Sequence, residues 1–181
     1  MLAKPLALTA TLLFLATPLS AQTSEQKDVT PPSADEIRAA MTTAQGFAER
    51  AASSNLFEIQ SSQIALEKAQ SEEVRAFAEK MIADHTAAGE RMMAAATEEG
   101  LTATEALMPD HQAQLDNLTS SEPADFDAAY LGAQLAAHTE AVDLFEGYSN
   151  QGPGGPLKTF ATETLPKLKD HLAEVGPLSE V

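Results

Sequence analysis

The sequence predicts an all-α protein: a bundle of four long helices, folded as two antiparallel hairpins joined by a crossover that carries a short helix. Three observations lead there. Alanine dominates from Asp35 onward and β-branched runs are absent, a composition that favours helix. Apolar residues recur at three- and four-residue spacing, the period of a helix with one buried face. Breaking signals then divide the chain at Ser71, Gly100, Pro109, Pro123 and the run Asn150 to Pro156.

Taken in order, Met1 to Lys4 is a short basic start and Leu6 to Thr17 is an apolar run too short to span a bilayer comfortably. Ala21 is a suitable residue before a cleavage point, so residues 1–21 read as a signal peptide. The chain contains no cysteine, which excludes a lipid anchor after cleavage. Residues 22–42 read as a flexible leader, rich in Ser, Thr and charge, with Pro31-Pro32 forbidding helix, although Ala34 to Met41 has the character of a helical prefix. The bundle domain is expected over residues 43–178. Its first long helix covers about Thr43 to Gln70. Ser71-Glu72-Glu73 supplies an N-cap and acids in the first turn, and the second helix runs to Glu99 with Gly100 as its C′ residue. Its inward row is Val74, Phe77, Ala78, Met81, His85, Ala88, Met92 and Ala96. Pro109 suits the first position of a short crossover helix ending near Leu118. The third long helix runs from Pro123 to Tyr148, with Phe126, Leu131, Leu135, His138, Val142 and Phe145 on one face. The fourth begins after Pro156 and presents Leu157, Phe160, Leu168, His171, Leu172 and Val175. Pro166 should kink or locally break it. Two hairpins joined by a long crossover is the connectivity of ferritin-like bundles.

Composition narrows the function classes. The formal charge is -16, which repels nucleic acid and anionic lipid and makes a basic partner or metal cations more compatible. The same acids also serve as solvated helix faces. No Gly-x-Ser-x-Gly elbow or glycine-rich phosphate loop is present, and without cysteine there is neither thiol chemistry nor a disulfide. After signal cleavage no transmembrane helix is expected. An exported protein of the periplasm or outer envelope is, with an envelope protein as a possible partner.

Several segments carry a family resemblance: Phe47-Ala48 through Phe57-Glu58, Val74-Arg75-Ala76-Phe77-Ala78 leading to Met81-Ile82-Ala83-Asp84-His85, Phe126-Asp127-Ala128-Ala129-Tyr130 with His138, and Leu165-Pro166-Lys167-Leu168-Lys169-Asp170-His171. In this order and spacing the chain from about Phe47 to Leu178 resembles the bacterial exported family called domain of unknown function 4142, assigned to the ferritin-like superfamily. The resemblance implies a four-helix bundle exported to the periplasm or outer envelope, and no established activity.

Four residues define the candidate site. The midpoint between Glu58 and His85 falls at Ser71–Glu72, and that between His138 and His171 falls at Gly154–Gly155. Residues equidistant from a hairpin turn stand at one height, here about 20 Å from the first turn at 1.5 Å per residue. Glu58, His85, His138 and His171 would thus offer one potential ligand from each long helix, a set suited to zinc, iron, copper or manganese. Asp84 and Asp170 each precede a histidine. They are expected at the rim, pairing with Lys80 and Lys167 or orienting a histidine of a neighbouring helix. Tyr130 is expected to pack in the core with a wetted tip, the alternative being a hydroxyl placed near the polar layer. His111, in the crossover, reads as an exposed or capping residue. Ile82, Leu135 and Leu168 stand three residues before the histidines, where ferritin-type sites carry glutamate, so a carboxylate-bridged di-iron centre is not expected. Two readings follow. One, favoured by the sequence, is a non-enzymatic envelope protein, stress-related or scaffold-like, whose histidines form a metal-free network fixing helix register. The other is a metal-binding or redox protein.

Overall fold

The computed structural model describes Lys27, residues 29–103 and residues 106–180. The expected signal peptide at 1–21, and the leader up to residue 26, lie outside the described residues. Six helices and no strand occur among those described: α1 (Ala34–Thr42), α2 (Ala44–Lys68), α3 (Glu72–Glu98), α4 (Pro109–Thr119), α5 (Phe126–Gln151) and α6 (Pro156–Leu178). The protein is all-α. Among the described residues, no helix is long and apolar enough to cross a membrane.

α1 occupies the end of the stretch read as leader. Ser33 and Glu36 form a reciprocal capping box that satisfies otherwise unpaired N–H groups of its first turn. Ala40 is buried, and the helix packs on α2 and α5. Thr43 separates α1 from α2: its backbone is extended (φ -124°, ψ 144°) while its hydroxyl accepts from Gly46 N. The prefix is therefore a helix of its own.

The α2–α3 turn is short, and its outgoing end is capped by Ser71, whose hydroxyl accepts from the N–H groups of Glu73 and Val74. Asp127 of α5 accepts from Gln70 N and Ser71 N, tying this turn to the second hairpin. α3 ends in a Schellman motif. Leu101 N donates to Ala96 O at 2.9 Å and Gly100 N to Thr97 O at 3.0 Å. Gly100 takes φ 71°, the left-handed conformation that glycine adopts without a Cβ clash. At the other hairpin, Glu99 reaches across to accept from Leu157 N at 2.8 Å and so caps α6 from a different helix. α6 runs through Pro166 without a break. Pro166 and Thr162 are both exposed, so the carbonyl deprived of its helical donor can be hydrated.

α2 packs on α3 and α5, α6 packs on α5 and α3, and α4 lies across α2 and α5. The apolar core is divided. One cluster holds Phe47, Met92, Phe145, Tyr148, Leu157 and Phe160; a second holds Phe77, Met81, Phe126, Tyr130 and Val175. Between them lies a layer of buried polar side chains, including Ser54, Glu58, Ser61, His85, Gln134, His138 and His171.

Candidate metal centre

Three histidines converge in this layer, His85 from α3, His138 from α5 and His171 from α6. Their ring centroids form a nearly equilateral triangle with sides of 5.6, 5.6 and 5.4 Å. One nitrogen from each ring lies within 4.8 Å of the others, and all three residues are buried. Each histidine reaches the centre because it occupies the apolar row of its helix, whose other members pack into the two clusters above and below.

The outer partner of each ring determines which nitrogen faces inward. His138 Nδ1 lies 2.9 Å from the Gln134 carbonyl one turn earlier. A carbonyl only accepts, so Nδ1 carries the hydrogen and Nε2 presents a lone pair. His171 Nε2 donates to Asp84 Oδ2 at 2.8 Å, which leaves Nδ1 as the lone-pair nitrogen. His85 Nδ1 lies 3.2 Å from Asn55 Oδ1, and its Nε2 is buried without a partner. Lone pairs thus converge from three helices. His138 Nε2 and His171 Nδ1 face each other at 3.4 Å with no hydrogen left for either to donate.

Electrostatics reinforce this protonation pattern. Burial lowers the pKa of all three, His138 to about 4 and His85 well below its ordinary value, where the neighbouring His138 and His171 add to the effect. His171 is also lowered by burial, with the Asp84 carboxylate opposing the shift. The Asp84 carboxyl lies below its usual range; burial works against this, but the His171 hydrogen bond and Lys167, 3.6 Å away, together outweigh it.

Glu58 does not join the triangle. Its carboxylate is fully buried, with Oε1 3.5 Å from His138 Nδ1, on the side of the ring that faces away from the cluster. Neither oxygen has a hydrogen-bond partner. Burial pushes its pKa up to about 8, offset only in part by the nearby Gln134 amide. The small residues around it, Ser54, Ser61 and Ser62, are buried, so the polar stretch of α2 is a thinned core layer rather than a surface. Tyr130 is buried in the lower cluster and exchanges a hydrogen bond of 2.8 Å with Ser62. Asp170 is exposed and makes no contact with the cluster: one residue before His171, it lies about 100° around the helix. Lys80 pairs with Glu174 rather than Asp84.

His111 was expected at the surface and is instead 1% exposed. Its ring stacks on Phe57 with centroids 5.8 Å apart, and its Nδ1 lies 2.6 Å from Ser53 Oγ. Ser53 also accepts from Met108 N at 2.7 Å, and Glu140 Oε1, 3.9 Å from His111 Nε2, favours the ring hydrogen there, so the hydroxyl donates to Nδ1. Beside it Arg50, itself buried, pairs with Asp110 at 2.6 Å and with Glu140. This second polar cluster docks α4. The reading as an exposed crossover residue failed because α4 lies against α2, which turns the first-turn residues Asp110 and His111 inward.

The family model described as "Domain of unknown function (DUF4142)" matches residues 29–178. The chain belongs to that family. The matched span of the DUF4142 family includes all six helices, the histidine triangle and the docked α4. No curated protein and no solved structure matches the chain.

Proposed function

We propose that this member of the DUF4142 family is a metal-binding helical bundle that holds one transition-metal ion between His85, His138 and His171. The supporting observation is the convergence of three inward lone pairs, each fixed by an outer partner of its own ring: Asn55 for His85, the Gln134 carbonyl for His138 and Asp84 for His171. Metal-ligating histidines are typically held in this way, and a carboxylate behind one ring raises its basicity. With Glu58 behind His138, the donor set is three neutral imidazoles, which suits zinc or copper better than manganese. The ferritin-like description fits the pairing of four long helices in two hairpins with α4 in the crossover, without a di-iron carboxylate set. The basic start and apolar run of residues 1–21 support export to the periplasm or envelope.

A metal-free, scaffold-like reading has its own support. Asn55–His85, Asp84–His171, Gln134–Ser61 and Ser62–Tyr130 link the long helices through side-chain hydrogen bonds, and these would fix register without an ion. Thermal unfolding of demetallated protein separates the two. Added zinc or copper should raise the melting temperature, by about 2.7 kcal/mol of stability at free metal a hundredfold above Kd. His85→Ala and His171→Ala should abolish that gain. An unchanged melting point with zinc, copper, iron and manganese, together with no stoichiometric metal in the purified protein, would leave the scaffold reading standing.

A further inference from the structure

Three imidazoles fill three of the four positions a tetrahedral ion takes, and a site with one position left open can accept a further ligand. A narrow pocket of about 30 Å³ borders the triangle at His85 and His171. Space of that size holds about two water-sized groups. It opens in the seam between α3 and α6, where Asp84, Ala88 and Lys167 form the rim, and runs inward past Ala51, Ala141, Met92, Phe145 and Phe160. Its polar groups near the histidines are already engaged: Asn55 with His85, and Asp84 with both His171 and Lys167. Thr164 Oγ1 is not: it is buried without a partner and lines this pocket with His85, whose Nε2 is the lone pair offered to the ion. The walls are mostly alanine, methionine and phenylalanine, and the ion itself would supply counter-charge to an anion, so the pocket selects by size rather than by charge.

Resting on the metal-centre reading, we propose that this pocket admits an exogenous ligand of one or two heavy atoms to the open position of the three-histidine ion. Ala88 controls the entrance without belonging to the ion's ligand set. The full chain, loaded anaerobically with one equivalent of copper(I), provides the test, with carbon monoxide as the probe and its infrared stretch as the readout. A one-to-one carbonyl adduct is expected, with affinity at least tenfold lower in Ala88→Leu while copper stoichiometry stays unchanged. Ala88→Val, a smaller intrusion, serves the same purpose if leucine prevents folding. Azide, a linear ligand of three heavy atoms, should leave the visible spectrum of cobalt(II)-loaded protein unchanged. Retention of one copper per chain with no carbonyl adduct would overturn the pocket inference and leave the metal centre intact. Adducts of equal affinity in the wild type and both Ala88 variants would overturn the route, and an azide adduct the size limit. Failure to retain copper or cobalt at all would overturn the metal centre and this inference together.

Discussion

His111 is the residue whose removal should tell most about stability apart from any metal. Its ring is stacked on Phe57 and holds the Ser53 hydroxyl, so His111→Ala both opens a cavity and leaves a buried hydroxyl without its acceptor. A loss of about 2–4 kcal/mol in urea unfolding is expected, with any metal-dependent rise in melting temperature retained. Burial and the Arg50 charge depress its pKa from 6.5 to about 4. Between those values the unfolded chain binds a proton that the folded protein does not, so stability should rise with pH from about 4 to 6.5. His111→Gln should remove up to about 1.4 kcal/mol per pH unit of that slope. Glu58 works in the opposite direction. With its pKa raised from 4.5 to about 8, the folded protein keeps a proton that the unfolded chain has released, and stability falls as pH rises through that window. In metal-free protein Glu58→Gln should therefore flatten the decline and gain a few kcal/mol at pH 8, read from denaturant midpoints at pH 5 and pH 8. The three histidines of the triangle could be found from sequence because each sits on the apolar row of a helix, at a height set by its hairpin turn. Of their partners, Asp84 was legible as a carboxylate able to orient a histidine of a neighbouring helix. Asn55 was not, because nothing in its residue type says whether it faces a ring or water, and the Gln134 carbonyl belongs to the main chain.

At the scale of helices, α4 is attached differently from the rest. Its hold on α2 and α5 combines an apolar contact through Leu115 and Leu118 with the buried Arg50–Asp110 pair, which the half-buried Glu140 joins. Asp110→Ala removes one of the two carboxylates facing the buried guanidinium, and breaking such pairs typically costs about 3–5 kcal/mol. Because Glu140 remains, the lower end is expected, and hydrogen exchange should show α4 amides losing protection before those of α3 or α6. If α4 stays as protected as α3 in Asp110→Ala, the charge group is not its anchor. Helix limits were largely legible. Ser71, Gly100, Pro109 and Pro156 mark ends through chemistry confined to a few residues, and the structure places the ends of α3, α4 and α6 accordingly. Two features were not legible. The Ser33–Glu36 box starts a helix whose burial depends on α2 and α5, and the intact run of α6 through Pro166 depends on which side of the helix meets solvent. Both are properties of tertiary position, which local sequence does not specify.

For the molecule as a whole, the triangle has a kinetic meaning. Its three corners are separated by 53 and 33 positions along the chain and belong to both hairpins. An ion held there acts as a reversible cross-link between segments that no disulfide can join, since the chain has no cysteine. His138 and His171 share one hairpin, but His85 joins them only after the hairpins have docked, so the complete site should be absent from the rate-limiting step of assembly. Refolding of the loaded and metal-free proteins should then proceed at similar rates, while unfolding slows by nearly the full stabilisation, about a hundredfold at free metal one hundred times Kd. Stopped-flow refolding and unfolding arms measured with and without zinc would show this directly; an accelerated refolding arm would mean that the histidines gather early. On the metal-centre reading, metal supply would then lengthen native lifetime by the same factor as it raises equilibrium stability. Withdrawing the ion would shorten the time before the chain first opens to irreversible attack such as aggregation or cleavage.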